Sequence, residues 1–87
     1  MFKTSKMKTT QQLNDEGDRL RTYRVLSKLK QVEAARILNT EQGNYCRMEQ
    51  GRLNAGWRLE KMYEYFLKWR IKEIERLNDR ISYLNKF

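Results

Sequence analysis

Glycine and proline interrupt helices, and both are scarce and unevenly placed in this chain of 87 residues. The chain has four glycines and no proline, and no glycine follows Gly56. Residues 57–87 could therefore form one uninterrupted helix, roughly 45 Å long at 1.5 Å per residue. A chain of this length makes one domain with at most one appended element. We expect an all-α fold that ends in a long helix.

The beginning of the chain is predicted to contain a flexible basic arm and a first helix. The arm, residues 1–13, has three lysines, no acid and no apolar periodicity. Its lysines either follow the backbone of a polyanion or simply aid solubility. Helix 1 is expected from Asp15 to Ser27. Asn14 supplies a capping side chain just before it, and Asp18 an acidic side chain near its start, where the helix dipole favours negative charge.

Two short helical segments follow, separated by very few residues. Residues 31–38 are rich in alanine and favour a helix. Asn39 comes where the chain must turn, and asparagine tolerates the left-handed conformation well. A second short helix is predicted over 41–50, which makes Lys30–Gly51 a candidate helix-turn-helix. The small Ala35 permits a close helix crossing, and the residues with the spacing to close a core are Ala34, Leu38, Tyr45 and Met48.

The long C-terminal segment carries two apolar patterns. The first half shows a broad stripe expected to face the core, namely Leu59, Met62, Tyr63, Phe66 and Leu67. The second half narrows to a coiled-coil-like seam of Ile74, Leu77, Ile81 and Leu84. Either the seam pairs between two subunits or this part of the helix folds back on its own domain. Tyr65 and Trp69 lie one turn apart, as a second packing surface or, less favoured, a stacking platform for single-stranded nucleic acid.

Composition narrows the possible functions. The net charge is +8 and the isoelectric point is near 9.9, which favours a polyanionic partner such as nucleic acid or an acidic membrane surface. No apolar run is long enough to span a bilayer, and five acids scattered through residues 57–87 argue against a membrane-surface helix. Histidine is absent and Cys46 is the single cysteine, which removes most zinc sites and most nucleophilic catalysis. Cys46 itself is interpreted as a small neutral filler or a groove-facing bystander rather than a redox switch.

Several separated residues resemble the Cro- and phage-repressor-like helix-turn-helix family, also named after xenobiotic-response-element regulators. Its members typically have an Arg late in helix 1, a Gln that opens helix 2, an Ala four residues later and Glu-Asn-Gly after helix 3. Here Arg24, Gln31, Ala35 and the run Glu49-Gln50-Gly51 stand in that register without a gap. The resemblance covers about residues 17–66.

The resemblance implies a lambda-repressor-like domain over residues 14–66. The helical extension over 67–87 lies beyond the resemblance, and its apolar seam predicts that it dimerises. The sequence departs from the family in its turns. Lys28 stands where a glycine usually ends helix 1, Lys30 where Ser, Thr or Asn usually caps helix 2, and Asn39 where a glycine is common. Family members also often end in two short helices, whereas this chain continues as one.

The resemblance also implies roles for individual residues. Helix 3 would lie in the major groove, with Gln42, Asn44 and Arg47 on base edges and Gly43 allowing a close backbone approach. Gln31 would bind a phosphate at the start of helix 2. Lys30 and Arg52 complete the predicted DNA-binding set. Arg24 and Glu49 are expected to pair inside the domain and not on DNA.

The predicted function is that of a sequence-specific regulator of transcription, most simply a cytoplasmic repressor that binds an inverted repeat in double-stranded DNA as a homodimer. The alternative is an antitoxin-like or adaptor module that grips another protein with its long helix. We expect no enzymatic activity, because no catalytic constellation is visible in the sequence. No cofactor, metal, small-molecule substrate or membrane contact is expected either.

Overall fold

The computed structural model describes residues 8–86, and it confirms the all-α prediction. Its four helices are α1 (Thr10–Leu26), α2 (Gln31–Ile37), α3 (Gln42–Glu49) and α4 (Trp57–Leu84), and no strand occurs among the described residues. No helix in this range is both long and apolar enough to cross a membrane. The longest dimension is 62 Å against 29 and 21 Å, because α4 extends past the other helices.

The start of α1 differs from the prediction. The helix begins at Thr10 rather than Asp15, and Thr9 is its cap instead of Asn14. Thr9 Oγ1 accepts a hydrogen bond from the backbone N–H of Gln12 at 3.1 Å, and Gln12 Oε1 accepts one from the backbone N–H of Thr9 at 2.8 Å. This reciprocal capping box satisfies two N–H groups at the helix start. The predicted arm over 1–13 is therefore wrong for residues 10–13, while 1–7 lie outside the described residues.

The core lies where α1, α2 and α3 meet the first turns of α4. Leu20, Leu38, Tyr45 and Met62 are completely buried. The five core residues predicted from the two short segments are all buried and confirm the prediction, namely Ala34, Ala35, Leu38, Tyr45 and Met48. One further core residue, Ala55 in the connection between α3 and α4, was not predicted.

Two residues with side chains adopt the left-handed backbone conformation, and both lie in turns between helices. Asn39 has φ 55° between α2 and α3, as predicted, and Lys28 has φ 62° between α1 and α2. In the turn between α2 and α3, the backbone N–H groups of Asn39 and Thr40 donate to carbonyls of α2 at 3.1 and 2.9 Å. The α2–α3 connection is therefore a short hydrogen-bonded turn, and it fixes the angle at which α3 leaves α2.

The helix α4 runs uninterrupted to Leu84 and does not fold back on its own domain. Met62 is buried, and Phe66 stacks on Tyr23 of α1 with ring centroids 5.6 Å apart. Tyr63 of the predicted core stripe also packs on Tyr23, with ring centroids 5.1 Å apart, although it is 44% exposed. The predicted stripe is wrong for Leu67, which is 36% exposed. The face that packs on the domain is thus narrower than the apolar pattern suggested.

Candidate nucleic-acid interface

Helix α3 has one buried face and one exposed face. Tyr45, Met48 and Glu49 point into the domain and are nearly inaccessible to solvent. The side chains on the opposite face are polar or absent: Gln42, Gly43 and Arg47 are exposed, and Asn44 and Cys46 are half-buried. Four of the predicted DNA-binding residues, Gln42, Gly43, Asn44 and Arg47, therefore share one accessible surface, which we call the α3 face.

Two of these side chains contact each other. Arg47 Nη1 donates a hydrogen bond to Asn44 Oδ1 at 3.0 Å. A guanidinium has five N–H donors, so this bond orients Arg47 while leaving donors for another group. The amide N–H groups of Asn44 also stay available, because its oxygen is the atom engaged. The pair can present donors in a fixed arrangement.

No side chain projects from the α3 face at Gly43, so the helix backbone is accessible there. A Cβ atom built on Gly43 would have only the Arg47 guanidinium within 4 Å, at 3.8 Å from Nη1. The position is open, so packing within the chain does not require a glycine here. A second molecule could approach the backbone of α3 closely at this point.

A shallow groove of about 460 Å³ adjoins the start of the α3 face between α2 and α3. Its lining includes Arg36 of α2 and Gln42 of α3. Arg36 is exposed and was missed as a candidate, although a cation near the predicted turn was visible in the sequence. The other lining residues are Val32, Ala35, Asn39, Thr40 and Glu41.

The C-terminal turn of α3 is held by an ion pair with α1. Arg24 Nε donates to Glu49 Oε2 at 2.6 Å and Arg24 Nη2 to Glu49 Oε1 at 3.3 Å, which confirms the predicted pairing. Arg24 Nη1 also donates to the carbonyl of Leu29 at 3.0 Å. Because the Glu49 side chain is only 3% exposed, its charge depends on these partners.

The predicted phosphate ligand Gln31 belongs to the same network. Its Nε2 donates to Glu49 Oε1 at 3.1 Å, so one of its two amide N–H groups points into the domain. The other N–H remains for a ligand. As the first residue of α2, Gln31 also has a backbone N–H without a partner inside the helix.

Burial and hydrogen bonding act in opposite directions on these charges. Burial by itself would raise the pKa of Glu49, but the hydrogen bonds from Arg24 and Gln31, together with the nearby Tyr45 hydroxyl, outweigh it and hold that pKa below its usual value. The same carboxylate raises the pKa of Arg24 through its hydrogen bond. Burial raises the pKa of the Tyr45 hydroxyl, and the neighbouring Glu49 carboxylate raises it further. At neutral pH the pair is therefore ionised and Tyr45 is protonated.

The remaining predicted DNA-binding residues lie at the ends of these helices. Lys30 is the N-cap of α2 and is exposed, and its backbone N–H donates to the Glu33 carboxylate at 2.7 Å. Arg52 is exposed just after α3. Lys8 of the predicted arm is occupied within the chain, since it pairs with Glu16 and donates to Asn54 Oδ1 at 2.8 Å.

Comparison with known proteins adds no relative: the chain matches no protein-family model, no curated protein and no solved structure.

Proposed function

We propose that this protein is a sequence-specific regulator of transcription that binds double-stranded DNA through α3. In this proposal the lambda-repressor-like helix-turn-helix consists of α2, the turn at Asn39 and α3. Two copies bind an inverted repeat, and occupancy of a promoter represses transcription. The observation that carries the proposal is the α3 face, an exposed polar surface on a helix whose other side is anchored in the core.

The α3 face has the chemistry needed to distinguish base pairs. Glutamine and asparagine amides can donate to and accept from the edge of adenine, and arginine can donate twice to guanine. Gln42, Asn44 and Arg47 supply these groups on neighbouring turns. The glycine between the first two lets the helix backbone approach the floor of the groove. A face built only to be solvated would not need this combination.

The surroundings of α3 supply a general attraction for the DNA backbone. The net charge of +8 favours a polyanion, and the cations Lys30, Arg36 and Arg52 stand on the elements that flank α3. Phosphate contacts of this kind position a protein without reading sequence. Base edges would then be read by α3 alone.

The test begins with selection of bound duplexes from random DNA by the full chain. The selected duplex and a scrambled duplex of equal length are then titrated at one salt concentration. Gln42→Ala and Arg47→Ala should each lose about 1–3 kcal/mol on the selected duplex, with a much smaller change on the scrambled one. Gln11→Ala and Arg19→Ala, exposed residues of the same types on α1, serve as matched controls. The proposal fails if no sequence is enriched or if the α3 variants bind like the controls.

The exposed apolar residues of α4 favour the alternative of an antitoxin-like or adaptor module, since uncovered apolar surface commonly marks a protein interface. Under that alternative, removal of residues 70–87 abolishes capture of the partner protein and substitutions on the α3 face have no effect. Under the DNA-binding proposal the same truncation gives a monomer with weak operator affinity. Light scattering and DNA titration on the full and truncated chains separate the two.

A further inference from the structure

A line of apolar residues on α4 is left uncovered by the domain. We call it the α4 stripe, and its members are exposed by 36–60%: Leu67, Ile74, Leu77, Ile81 and Leu84. Their spacings alternate between three and four residues, with one member missing where Arg70 stands. This is the seam of a two-helix coil over about three heptads. The stripe is distinct from the face that carries Met62 and Phe66 and packs on the domain.

We propose that the α4 stripe pairs with the α4 stripe of a second copy in antiparallel orientation, with Leu67 of each copy against Leu84 of the other. The inference deepens the proposed function, because it assigns the contact that makes the homodimer. In this register Ile74 lies opposite Leu77, and Arg70 lies opposite Ile81. Every stripe residue from Leu67 to Leu84 then has a partner.

The position of Arg70 favours this orientation. A parallel pair in register places each seam residue opposite its own copy, so two Arg70 guanidinium groups would meet inside the seam. Like charges brought together in a partly desolvated contact repel each other. In the antiparallel register the Arg70 stem lies along Ile81 of the second copy, and the charged end reaches solvent.

Charges beside the seam also complement each other only in the antiparallel pair. Glu73 and Arg80 lie on the same edge of the stripe, one heptad apart. Arg76 of the same helix engages Glu73 at Oε1, so Oε2 can accept from a second cation. The antiparallel register places Glu73 of each copy beside Arg80 of the other, which forms two symmetric ion pairs. A parallel pair would instead place Glu73 beside Asn78 and Arg80 beside Asn85, without an ion pair.

The proposed pairing keeps the two DNA-binding domains apart. Met62 marks where α4 enters its domain, and the register separates the two Met62 residues by 27 residue steps, roughly 40 Å at 1.5 Å per step. Half-sites on one face of B-DNA are about 34–36 Å apart. The separation of the two Met62 residues is therefore of the same order as the spacing of half-sites one helical turn apart.

Engineered cysteines test the orientation directly. Cys46 is first replaced by serine, and Leu67→Cys and Leu84→Cys are introduced on separate chains. A disulfide requires Cα atoms within about 7 Å, whereas antiparallel pairing holds the two Leu84 positions roughly 26 Å apart. After mixing under reducing conditions and oxidation, the two variants together should give a covalent dimer as the main product. Each variant alone should remain uncrosslinked.

The other outcomes overturn the proposal in different ways. A covalent dimer of Leu84→Cys alone shows parallel pairing and refutes the orientation. No crosslink in any sample, together with a monomeric mass for the natural chain in sedimentation, refutes the pairing itself. If the expected crosslinks form but the protein does not bind DNA, this inference stands and the proposed function is refuted. Sequence-specific binding by a monomer would refute this inference and the homodimer in the proposed function, and would leave base reading by α3 standing.

Charge reversal gives a second test that does not need a disulfide. Glu73→Arg or Arg80→Glu alone should raise the dimer Kd roughly 3- to 30-fold, since each change removes both ion pairs. The double variant should return the Kd to near that of the natural chain. If the double variant dimerises no better than the weaker single one, Glu73 and Arg80 do not face each other.

Discussion

Arg24 and Glu49 are joined at two points, with Arg24 Nε 2.6 Å from Glu49 Oε2 and Arg24 Nη2 3.3 Å from Glu49 Oε1. The pair connects the last turn of α1 to the last turn of α3. Gln31 adds the first residue of α2 to the same carboxylate. The Glu49 carboxylate therefore connects three helices, and the orientation of the α3 face depends on these bonds.

Removing only one partner of this pair should be costly. Glu49→Gln leaves a largely buried guanidinium without its counter-charge, and we expect a loss of about 3 kcal/mol in the free energy of unfolding. The double variant Arg24→Met/Glu49→Gln removes both charges and should lose less than the sum of the single changes. Urea denaturation of the four proteins at neutral pH measures the coupling. Additive losses would contradict a direct interaction.

Acid should weaken the fold through the same carboxylate. The pKa of Glu49 is held below its usual value of about 4.5, so the folded chain binds this proton less readily than the unfolded chain does. The resulting stabilisation is fully present above that usual value and is lost as the pH falls through the lower folded value. The pH dependence of unfolding between 6 and 2 should therefore be shallower in Arg24→Met/Glu49→Gln than in the natural chain, and equal slopes would contradict the assignment.

Lys28→Gly should stabilise the protein. Lys28 has φ 62°, which costs a residue with a side chain about 1–2 kcal/mol and costs glycine very little. Glycine also has more freedom in the unfolded chain, so we expect a net gain of roughly 1 kcal/mol. Lys72→Gly, at an exposed position inside α4, is the matched control and should lose about 1 kcal/mol. In thermal unfolding, Lys28→Gly should have a higher Tm than the natural chain and Lys72→Gly a lower one.

Two glycines in helices should respond oppositely to substitution by alanine. A Cβ on Gly17 would lie 2.8 Å from the backbone oxygen of Met48 and closer still to that of Glu49, so Gly17→Ala forces α1 and α3 apart and should cost about 1–3 kcal/mol. Gly43→Ala meets open space and should stabilise α3 by up to about 1 kcal/mol. Denaturant titration separates the two. A stable Gly17→Ala would contradict the tight crossing.

Lys30 and Arg52 should contribute affinity without sequence preference. Each is proposed to meet a phosphate, so Lys30→Ala or Arg52→Ala should weaken binding to the selected and the scrambled duplex by the same factor. The slope of log K against log salt should fall by about one for each removed contact. A change confined to the selected duplex would instead place that residue on a base edge.

Local patterns were sufficient to predict much of this fold. The Ala-rich segment, Asn39 and the absence of Gly or Pro after Gly56 predicted α2, the turn and the extent of α4. The predicted starts of α2 and α3 agree with the structure to within a residue. The α1 start was missed because residues 10–12 are all polar, although Thr9 and Gln12 have the spacing of a capping box.

Features that depend on contacts between distant segments were not predicted. The broad apolar pattern on α4 covers two adjacent faces, and periodicity cannot decide which face the domain covers. Leu67 was therefore assigned to the wrong face, whereas Tyr63 lies at the edge of the packed face, against Tyr23. The need for a glycine at residue 17 likewise arises from the backbone of α3, which lies more than thirty residues away in sequence.

The uninterrupted α4 sets the rotational phase between the α3 face and whatever the α4 stripe contacts. In a continuous helix, one inserted residue after Phe66 turns everything beyond it by about 100° and moves it by only 1.5 Å. An insertion of seven residues nearly restores the phase and adds about 10 Å of length. Insertions in this helix should therefore change the geometry of the operator that is bound in steps of seven residues, while the surface that reads the bases stays the same.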